Sequence, residues 1–368
     1  MKTILLICTE PSAGVRTYSF TIANSLAKLR THRVIFMYSL LNDDNDLDKA
    51  ITKIPIELPK NKWLRLLFRI YPFKILNEIN KIKNIDIIHL LSTEYAMANI
   101  LGRLQKKHNV IYTVHDLIPH QQKGQKNVTL YLKYINFAMA KCHRICNNLC
   151  TCSLEQLKQL KTMYPQKKVF FHSMPNFITE ITKKGNLICP ELTGVKDYIL
   201  FFGRVDAYKG IEILHKAFLS SKLKAKLVVA GKPVVNYNPF ESSKKTEDVI
   251  FIDRFIETEE IKSLFENAKC VVYPYISITQ SGVLSFPYYF GIPVIASGLS
   301  YFKDQIIDEK TGWLFETGNA DDLAKKMQIA FNSLVDLEKM KLAQKEQFEI
   351  LFGEEKLAIE LKEVYNAF

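Results

Sequence analysis

Apolar residues occur along the chain in short runs that are separated by longer amphipathic segments. Runs with the length of buried strands lie at 3–8, 34–38, 86–90, 109–114 and 169–172. Segments with helical spacing lie between them, at 15–29, 95–105, 127–140 and 154–163. Strands that alternate with helices in this way predict a parallel sheet covered by helices.

A second alternating series follows a stretch without periodicity. Its predicted strands and helices lie at 198–202, 211–220, 226–230, 249–252, 258–268, 271–273, 281–290, 294–296 and 312–315. Three helices are predicted after it, at 321–333, 337–351 and 354–367. Two such series predict an α/β fold with two Rossmann-like, doubly wound domains facing across a cleft.

The predicted domain bounds follow the change in periodicity. The N-terminal domain covers 1–178, a linker with Gly185, Pro190 and Gly194 covers 179–196, and the C-terminal domain covers 197–350. A C-terminal helix at 351–368 completes the chain, and packing back on the N-terminal domain is one arrangement open to it.

The stretch YPYISITQSGVLSFPYYFGIPVIAS, at 273–297, predicts a strand, a loop, a helix, a turn and a second strand. In doubly wound sheets, ligands bind outside the carboxyl ends of strands, and phosphates favour helix N-termini. Gln280, Ser281, Gly282 and Val283 fall at that place, and a glycine lets a ligand approach the backbone closely. These four residues are therefore candidate ligand contacts.

A second candidate loop, GRVDAYKG at 203–210, joins the first strand of the second series to its helix. It carries Arg204 and Lys209. Arginine binds phosphate oxygens as a fork and lysine as a point charge, so the pair suits a diphosphate. The alternative is that each is an ordinary surface cation.

His115 directly follows the predicted strand at 109–114. It could cap the next segment or pack at the sheet edge, but its place at a strand carboxyl end favours a functional role.

Charge is unevenly divided along the chain, whose net charge is +12. Residues 1–178 hold 26 Lys and Arg against 11 Asp and Glu, or +15, and the remainder holds 24 against 27, or −3. A basic half points to an anionic partner, which leaves an anionic membrane surface, nucleic acid or a phosphate-bearing substrate. The basic aromatic segment at 60–83 fits a helix in a membrane interface, or a helix that covers the sheet with its cations in water.

We expect a membrane rather than nucleic acid. Proteins that bind single-stranded nucleic acid interleave aromatics with cations on a sheet face, whereas the aromatics here cluster at 63–73. No apolar run reaches the roughly 18 residues of a membrane span. We therefore expect a cytoplasmic protein, with peripheral attachment at the inner face of the membrane.

Metal and disulfide chemistry are not expected. The seven cysteines are odd in number, and those at 142, 146, 150 and 152 lack the paired Cys-x-x-Cys spacing of zinc sites. The acidic loop at 41–48 lacks the flanking strand of a metal-holding Asp-x-Asp motif.

Several motifs resemble one enzyme family. G-R-x-x-x-x-K-G-I, VVAGKP, FGIPVIAS and DEKTGWLFETGNADDLA are similar to the C-terminal domain of the retaining, nucleotide-sugar-dependent glycosyltransferases of family four, which have the GT-B fold. The N-terminal half agrees more loosely, through Gly14, IDIIHL, YTVHDLIP, TCS and MPN.

The resemblance implies transfer of a hexose-type sugar, with retention, from a UDP- or GDP-linked donor to a glycan acceptor. A lipid-diphosphate acceptor in surface polysaccharide biosynthesis is the expected case, and neither a cofactor nor a metal is implied. Arg204 and Lys209 would hold the donor diphosphate, and His115 would stand near the transferred sugar. Phe255 and Gly231 are assigned to the donor side, and Gly14 and Arg16 to the acceptor side.

One departure from the family concerns two glutamates, eight residues apart, in the stretch at 273–297. Their positions hold Ile278 and Phe286, and no Asp or Glu lies between Glu266 and Asp304. TQSGV resembles a branch of polysaccharide-building transferases with Gln-Ser-Gly in this loop. Two alternatives stay open, a non-catalytic protein that binds anionic membranes or nucleic acid, and a nucleotide-sugar epimerase on the same fold, which would need carboxylates for proton transfer.

Overall fold

The computed structural model describes residues 1–9, 13–39, 46–57, 72–92, 95–117, 130–240, 246–332 and 337–368. The chain divides into two compact units. The first unit holds Met1–Asn176 together with Phe352–Phe368, and the second holds Phe177–Leu351. Each unit contains one parallel sheet with helices, so the predicted α/β fold with two Rossmann-like domains is confirmed.

The first sheet has seven parallel strands in the order β3-β2-β1-β4-β5-β6-β7. They are β1 Thr3–Cys8, β2 Arg33–Ser39, β3 Thr52–Ile56, β4 Ile87–Leu90, β5 Asn109–Thr113, β6 Asn148–Thr151 and β7 Lys168–Phe171. Sequence periodicity missed β3 and β6. The edge strand β3 is largely exposed and contains Pro55, which an edge tolerates, and the four residues of β6, NLCT, begin and end with a polar residue.

In the described part of the first unit the α-helices are Ala13–Lys28, Phe73–Lys81, Leu101–Leu104, Leu130–Ile145, Leu154–Met163 and Glu354–Asn366. The single helix predicted at 95–105 is in fact a 3-10 helix, Tyr95–Asn99, followed by the short helix Leu101–Leu104. The first half of the basic aromatic segment predicted at 60–83, residues 60–71, lies outside the described residues, and the second half contains the helix Phe73–Lys81.

The C-terminal helix is joined to the first sheet by buried polar contacts. The Tyr365 hydroxyl is hydrogen-bonded to His89 Nδ1 at 2.6 Å, and His89 Nε2 to Thr113 Oγ1 at 2.8 Å. Ser173 donates its backbone N–H and its hydroxyl to the Glu360 carboxylate. These contacts place the chain end in the first unit.

The second sheet has six parallel strands in the order β10-β9-β8-β11-β12-β13. They are β8 Tyr198–Phe202, β9 Leu227–Ala230, β10 Val249–Ile252, β11 Ala268–Tyr273, β12 Val294–Ser297 and β13 Trp313–Phe315. Strands β9 and β10 lie on one side of β8, and strands β11, β12 and β13 lie on its other side. The strand order therefore reverses between β8 and β11, which is where doubly wound sheets bind ligands.

The α-helices among the described residues of the second unit are Glu180–Lys184, Ile211–Ser221, Ile261–Glu266, Ser285–Phe290, Ser300–Lys303 and Ala320–Asn332, together with Leu337–Phe352, whose last residue is counted with the first unit. The stretch 179–196, predicted as a linker, contains the first of these and belongs to the second unit. Leu187 N–H donates to Glu259 O, and a Cβ added to Gly185 would meet the same carbonyl oxygen. No helix in the described parts of the chain has the length and apolar character needed to cross a bilayer.

All seven cysteines are buried thiols. Burial raises the pKa of the Cys146 thiol to about 11 and that of the Cys150 thiol to about 12. Within the described ranges, no three His, Cys, Asp or Glu side chains form a group that could hold a metal ion.

The ends of strands β8 and β9 approach each other closely at Gly203 and Gly231. Gly231 has φ 149°, and a Cβ added there would lie 1.9 Å from Gly203 O. Gly231→Ala is expected to destabilise the protein by about 2 kcal/mol or more, since the backbone conformation is strained for alanine and the strand ends must separate. Urea denaturation measures the change.

The matched control is Gly102→Ala, because Gly102 is exposed in a helix and nothing lies within 4 Å of an added Cβ. This variant should be as stable as the native protein or gain up to about 1 kcal/mol. Equal stability of the Gly231→Ala and Gly102→Ala variants would contradict the close approach of Gly231 to Gly203.

Two buried histidines make stability depend on pH. Burial lowers the pKa of His143 and of His172 from 6.5 to about 4. The His172 Nδ1–H donates to Ser173 O, and Nε2 accepts from the Tyr18 hydroxyl, an arrangement that needs a neutral ring. Between pH 4 and 6.5 the unfolded chain therefore binds more protons than the folded one. The stability that each neutral histidine contributes is fully present above pH 6.5 and is lost as the pH falls through this window.

We predict that His172→Gln reduces the loss of unfolding free energy between about pH 7 and about pH 5.5 by about 1 kcal/mol. Urea denaturation of native and variant protein at both pH values gives the comparison. His143→Gln should reduce this pH-dependent loss of unfolding free energy by a similar amount. If the loss is unchanged in both variants, neither histidine is buried in its neutral form.

Candidate functional site

The candidate donor residues of the second unit follow four neighbouring strands. Arg204 follows β8, Gly231 follows β9, Phe255 follows β10 and the group 280–283 follows β11. Because these strands are parallel and adjacent, their carboxyl ends meet at one edge of the sheet. The structure thus brings the sequence-predicted donor residues to the same edge, where the strand order reverses.

Glycines keep the ends of β8 and β9 together. Gly203 N–H donates to Ala230 O at 3.0 Å, and Val205 N–H donates to Lys232 O at 3.1 Å. Gly203 has φ 134° and packs directly against Gly231. A side chain at Gly231 would force the loop that carries Arg204 away from β9.

Asp206 organises the loop after β8. Its carboxylate accepts from Ala207 N–H at 2.7 Å and caps the 3-10 helix Ala207–Lys209. The same carboxylate, 5% exposed, pairs with Arg204 Nη2 at 3.2 Å. The Arg204 side chain is 62% exposed and can present its guanidinium to a ligand. Sequence reasoning missed Asp206, although an aspartate before a turn is a recognisable capping signal.

Lys209 is almost buried, with 7% of its surface exposed. Its ammonium lies 3.7 Å from the ring centroid of Tyr275 and 4.7 Å from that of Tyr208. Tyr275 belongs to the loop after β11, so a side chain from across the reversal point contacts the candidate phosphate-binding lysine. Sequence reasoning did not find Tyr275, because nothing in the local pattern relates it to Lys209.

Backbone contacts join the loops after β8 and β11. Ile276 N–H donates to Tyr208 O at 2.9 Å. Gly210 has φ 68°, and a Cβ added there would lie 2.0 Å from Pro274 O. The two loops are therefore fixed relative to each other within the second unit.

Residues 280–283 lie about one turn before the helix Ser285–Phe290. A 3-10 helix, Gly282–Leu284, precedes the helix Ser285–Phe290, which starts later than predicted. Tyr301 donates its hydroxyl to Ser281 O at 2.5 Å, and Tyr273 donates to Val283 O at 3.1 Å. These bonds hold the backbone of the group in place, and its contact with a ligand stays a prediction.

Gly282 has a packing role in the structure. A Cβ added there would lie 2.7 Å from the Phe177 ring. Ser285 Oγ donates to Gly282 O and accepts from Phe177 N–H at 3.2 Å. The lack of a side chain at Gly282 therefore lets the Phe177 ring pack closely against this loop, with or without a ligand.

An aromatic cluster occupies one of the two positions where the resembling family carries glutamate. Phe286 is 5% exposed, and its ring lies 5.2 Å from the Phe202 ring and 5.4 Å from the Phe265 ring. A carboxylate here would be buried among aromatic rings, which explains why the position is apolar in this chain.

Phe255 presents its ring at the surface beside a rigid ion-pair network. It is 52% exposed, and the preceding Arg254 makes hydrogen bonds of 2.8–2.9 Å to Glu191 and Glu260. Hydrogen bonds from Arg254 lower the pKa of both carboxyl groups. The exposed ring is suited to stacking against a planar group.

His115, a candidate residue of the first unit, lies just after the carboxyl end of β5. His115 Nε2–H donates to Leu91 O at 2.7 Å, and the His115 ring lies 4.8 Å from the Tyr18 ring, edge to face. Burial lowers the pKa of His115, and the hydrogen bond to Leu91 and the Asp116 charge oppose that shift. Tyr18 also donates to His172, so this tyrosine brings the ends of β5 and β7 together.

Gly14 and Arg16 begin the same helix that carries Tyr18. Gly14 is exposed, and the Arg16 guanidinium carbon lies 4.4 Å from the Phe20 ring centroid, with Nη2 3.7 Å from Asp46 Oδ2. The structure therefore places the acceptor-side candidates and His115 within one unit.

Two protein-family models match the chain. Residues 12–179 match the model described as Glycosyltransferase Family 4, and residues 191–347 match the model described as Glycosyl transferases group 1. No curated protein sequence is significantly similar to the chain.

Solved structures are similar over the full length. HepE of Anabaena in complex with UDP and glucose has a TM-score of 0.72 at 14% identity, covering 100% of both chains. A glycosyltransferase of Rickettsia africae has a TM-score of 0.69 at 21% identity, covering 100% of this chain and 98% of the other. TarM of S. aureus, in a complex that contains UDP, has a TM-score of 0.70 at 11% identity, covering 100% of both. These likenesses show a shared fold. Because the two family matches together span nearly the whole chain, it belongs to the glycosyltransferases with the GT-B fold.

Proposed function

We propose that this chain transfers a sugar, with retention, from a nucleotide-diphosphate donor to a growing, lipid-linked glycan in surface polysaccharide biosynthesis. The observation that carries the proposal is the placement of Arg204 and Lys209 on the loop after β8, at the point where the strand order reverses. HepE and TarM are described in complexes that contain UDP, so a UDP-linked donor is the first to test.

Electrostatics give these two cations a role in catalysis. Negative charge develops on the diphosphate as its bond to the sugar breaks, and fixed positive groups stabilise that charge in the transition state. Lys209 is largely shielded from water, which strengthens its interaction with an anion. Arg204, held by Asp206, would supply a second cation, and no cofactor is part of the proposal.

The remaining site residues take supporting roles in the proposal. Phe255 would stack on the nucleotide base, and the backbone at Gly231 and at Gly282 and Val283 would line the donor. Gln280 and Ser281 would offer polar contacts to the sugar or phosphate. In the first unit His115 would contact the transferred sugar, with Gly14 and Arg16 on the acceptor side.

A lipid-linked acceptor fits a basic face of the first unit. The helices Phe73–Lys81, Leu101–Leu104 and Leu130–Ile145 cover the same side of the sheet, since Ile75, Leu101 and Ala138 belong to one core cluster. Together they carry six Lys and Arg against one carboxylate, Glu78. Phe73 and Phe137 are exposed aromatic residues among the described side chains of these helices. Cations with exposed aromatics suit an anionic membrane surface.

Donor binding tests the proposed function. UDP- and GDP-linked sugars are screened by thermal shift and by slow hydrolysis, and one of them should stabilise the native protein. Lys209→Ala should weaken binding of that donor at least roughly tenfold, because a charge-assisted bond to phosphate is lost. Lys216→Ala removes an exposed lysine of the following helix and serves as the control.

His115→Ala separates chemistry from donor binding. It should leave the donor-induced thermal shift in place and lower the rate of sugar transfer on the order of 10²-fold. If no nucleotide sugar binds the native protein, or if Lys209→Ala binds it as tightly, the proposed function is wrong.

Membrane attachment through the basic face is a separate prediction. The triple variant Lys74→Glu, Arg103→Glu and Lys133→Glu should bind phosphatidylglycerol vesicles at least roughly tenfold more weakly than the native protein, because each reversed charge loses an attraction of about 1 kcal/mol. The triple variant Lys196→Glu, Lys216→Glu and Lys224→Glu, of equal charge change in the second unit, should keep its binding. Sedimentation with vesicles measures both. An equal loss of vesicle binding in the two triple variants would contradict this surface, and so would equal binding of the native protein to neutral phosphatidylcholine vesicles. If the native protein binds single-stranded RNA in preference to vesicles, the partner of the basic face is nucleic acid and not a membrane.

A further inference from the structure

Tyr275 contacts the lysine on which the proposed function depends. The Lys209 ammonium lies 3.7 Å from its ring centroid, at the distance of a strong cation–π contact. Tyr208 adds a second ring at 4.7 Å. The two rings are inclined at 77° to each other, so they flank the ammonium from different directions.

The Tyr275 ring is itself held rigidly. It is fully buried, with the Phe302 ring 5.4 Å away and the Tyr273 ring 5.7 Å away. The residues on either side of Tyr275 are fixed as well, since Ile276 N–H donates to Tyr208 O and Pro274 O packs against Gly210. The ring therefore forms a fixed platform under a flexible side chain.

An aromatic ring suits this task better than a carboxylate. A nearly buried ammonium needs a partner of complementary potential, and a carboxylate would neutralise the charge that the donor diphosphate needs. The face of a ring attracts the ammonium and carries no net negative charge that would compete with phosphate. The stretch between Glu266 and Asp304 holds no carboxylate, which is consistent with a site that uses aromatic rings to place its cation.

We propose that Tyr275 is a positioning residue that holds the Lys209 ammonium in place for the donor diphosphate. This inference rests on the proposed function and deepens it. Ordering the four-carbon stem of the lysine before the donor binds removes part of the entropy cost of binding.

Two substitutions test the ring face. Tyr275→Leu removes the aromatic face, and kcat/KM for donor hydrolysis should fall roughly tenfold, as expected for loss of a desolvated cation–π contact. Tyr275→Phe keeps the face and should stay within roughly twofold of the native value. Tyr288→Leu truncates another fully buried tyrosine of the same unit and should lose stability without the loss in kcat/KM.

A double-mutant cycle separates positioning from a general loosening of the fold. In a Lys209→Ala background, Tyr275→Leu should have no further effect on donor affinity, since the group that it positions is absent. Additive effects, or a native kcat/KM in folded Tyr275→Leu, would overturn the inference while leaving the proposed function intact. Failure of Lys209→Ala to weaken donor binding would instead overturn the proposed function.

Discussion

The reversal of strand order between β8 and β11 is the constraint on which the candidate donor site depends. Two loops leave adjacent parallel strands there and turn in opposite directions, which creates a place where side chains from distant parts of the sequence can meet. In this chain the loops are also joined directly, through the bond from Ile276 to Tyr208 and the contact of Gly210 with Pro274. Lys209 owes its buried position to that junction.

Glycines and aromatic residues together determine how the backbone and side chains pack at the site. Gly203, Gly210 and Gly231 have positive φ, and at the last two backbone oxygens stand where a side chain would be. Buried aromatic rings, among them Tyr275 and Phe286, pack against one another in the same unit. The result is a site in which position is set by packing, while charge is concentrated in Arg204, Asp206 and Lys209.

The first unit uses the same sheet architecture with different side chains. Its order reverses between β1 and β4, and buried histidines and tyrosines lie near the strand ends. Tyr18 connects His115 with His172, and Tyr365 reaches His89 from the last helix of the chain. Burial keeps these imidazoles neutral by lowering the pKa of each.

The sequence alone determined the fold class and the loops that carry charge, because apolar periodicity, glycines and the placement of cations after strands are local signals. It also placed His115, Arg204 and Lys209 at strand ends. It missed the strands β3 and β6, in which polar residues interrupt the apolar run, and the late start of the helix after Gly282. Only the tertiary structure decided that Tyr275 contacts Lys209, that Asp206 holds Arg204, and that Phe177 fills the space beside Gly282. The reason is physical: these contacts join residues through the strand order and the path of the loops, and no pattern along the chain encodes the distance between them.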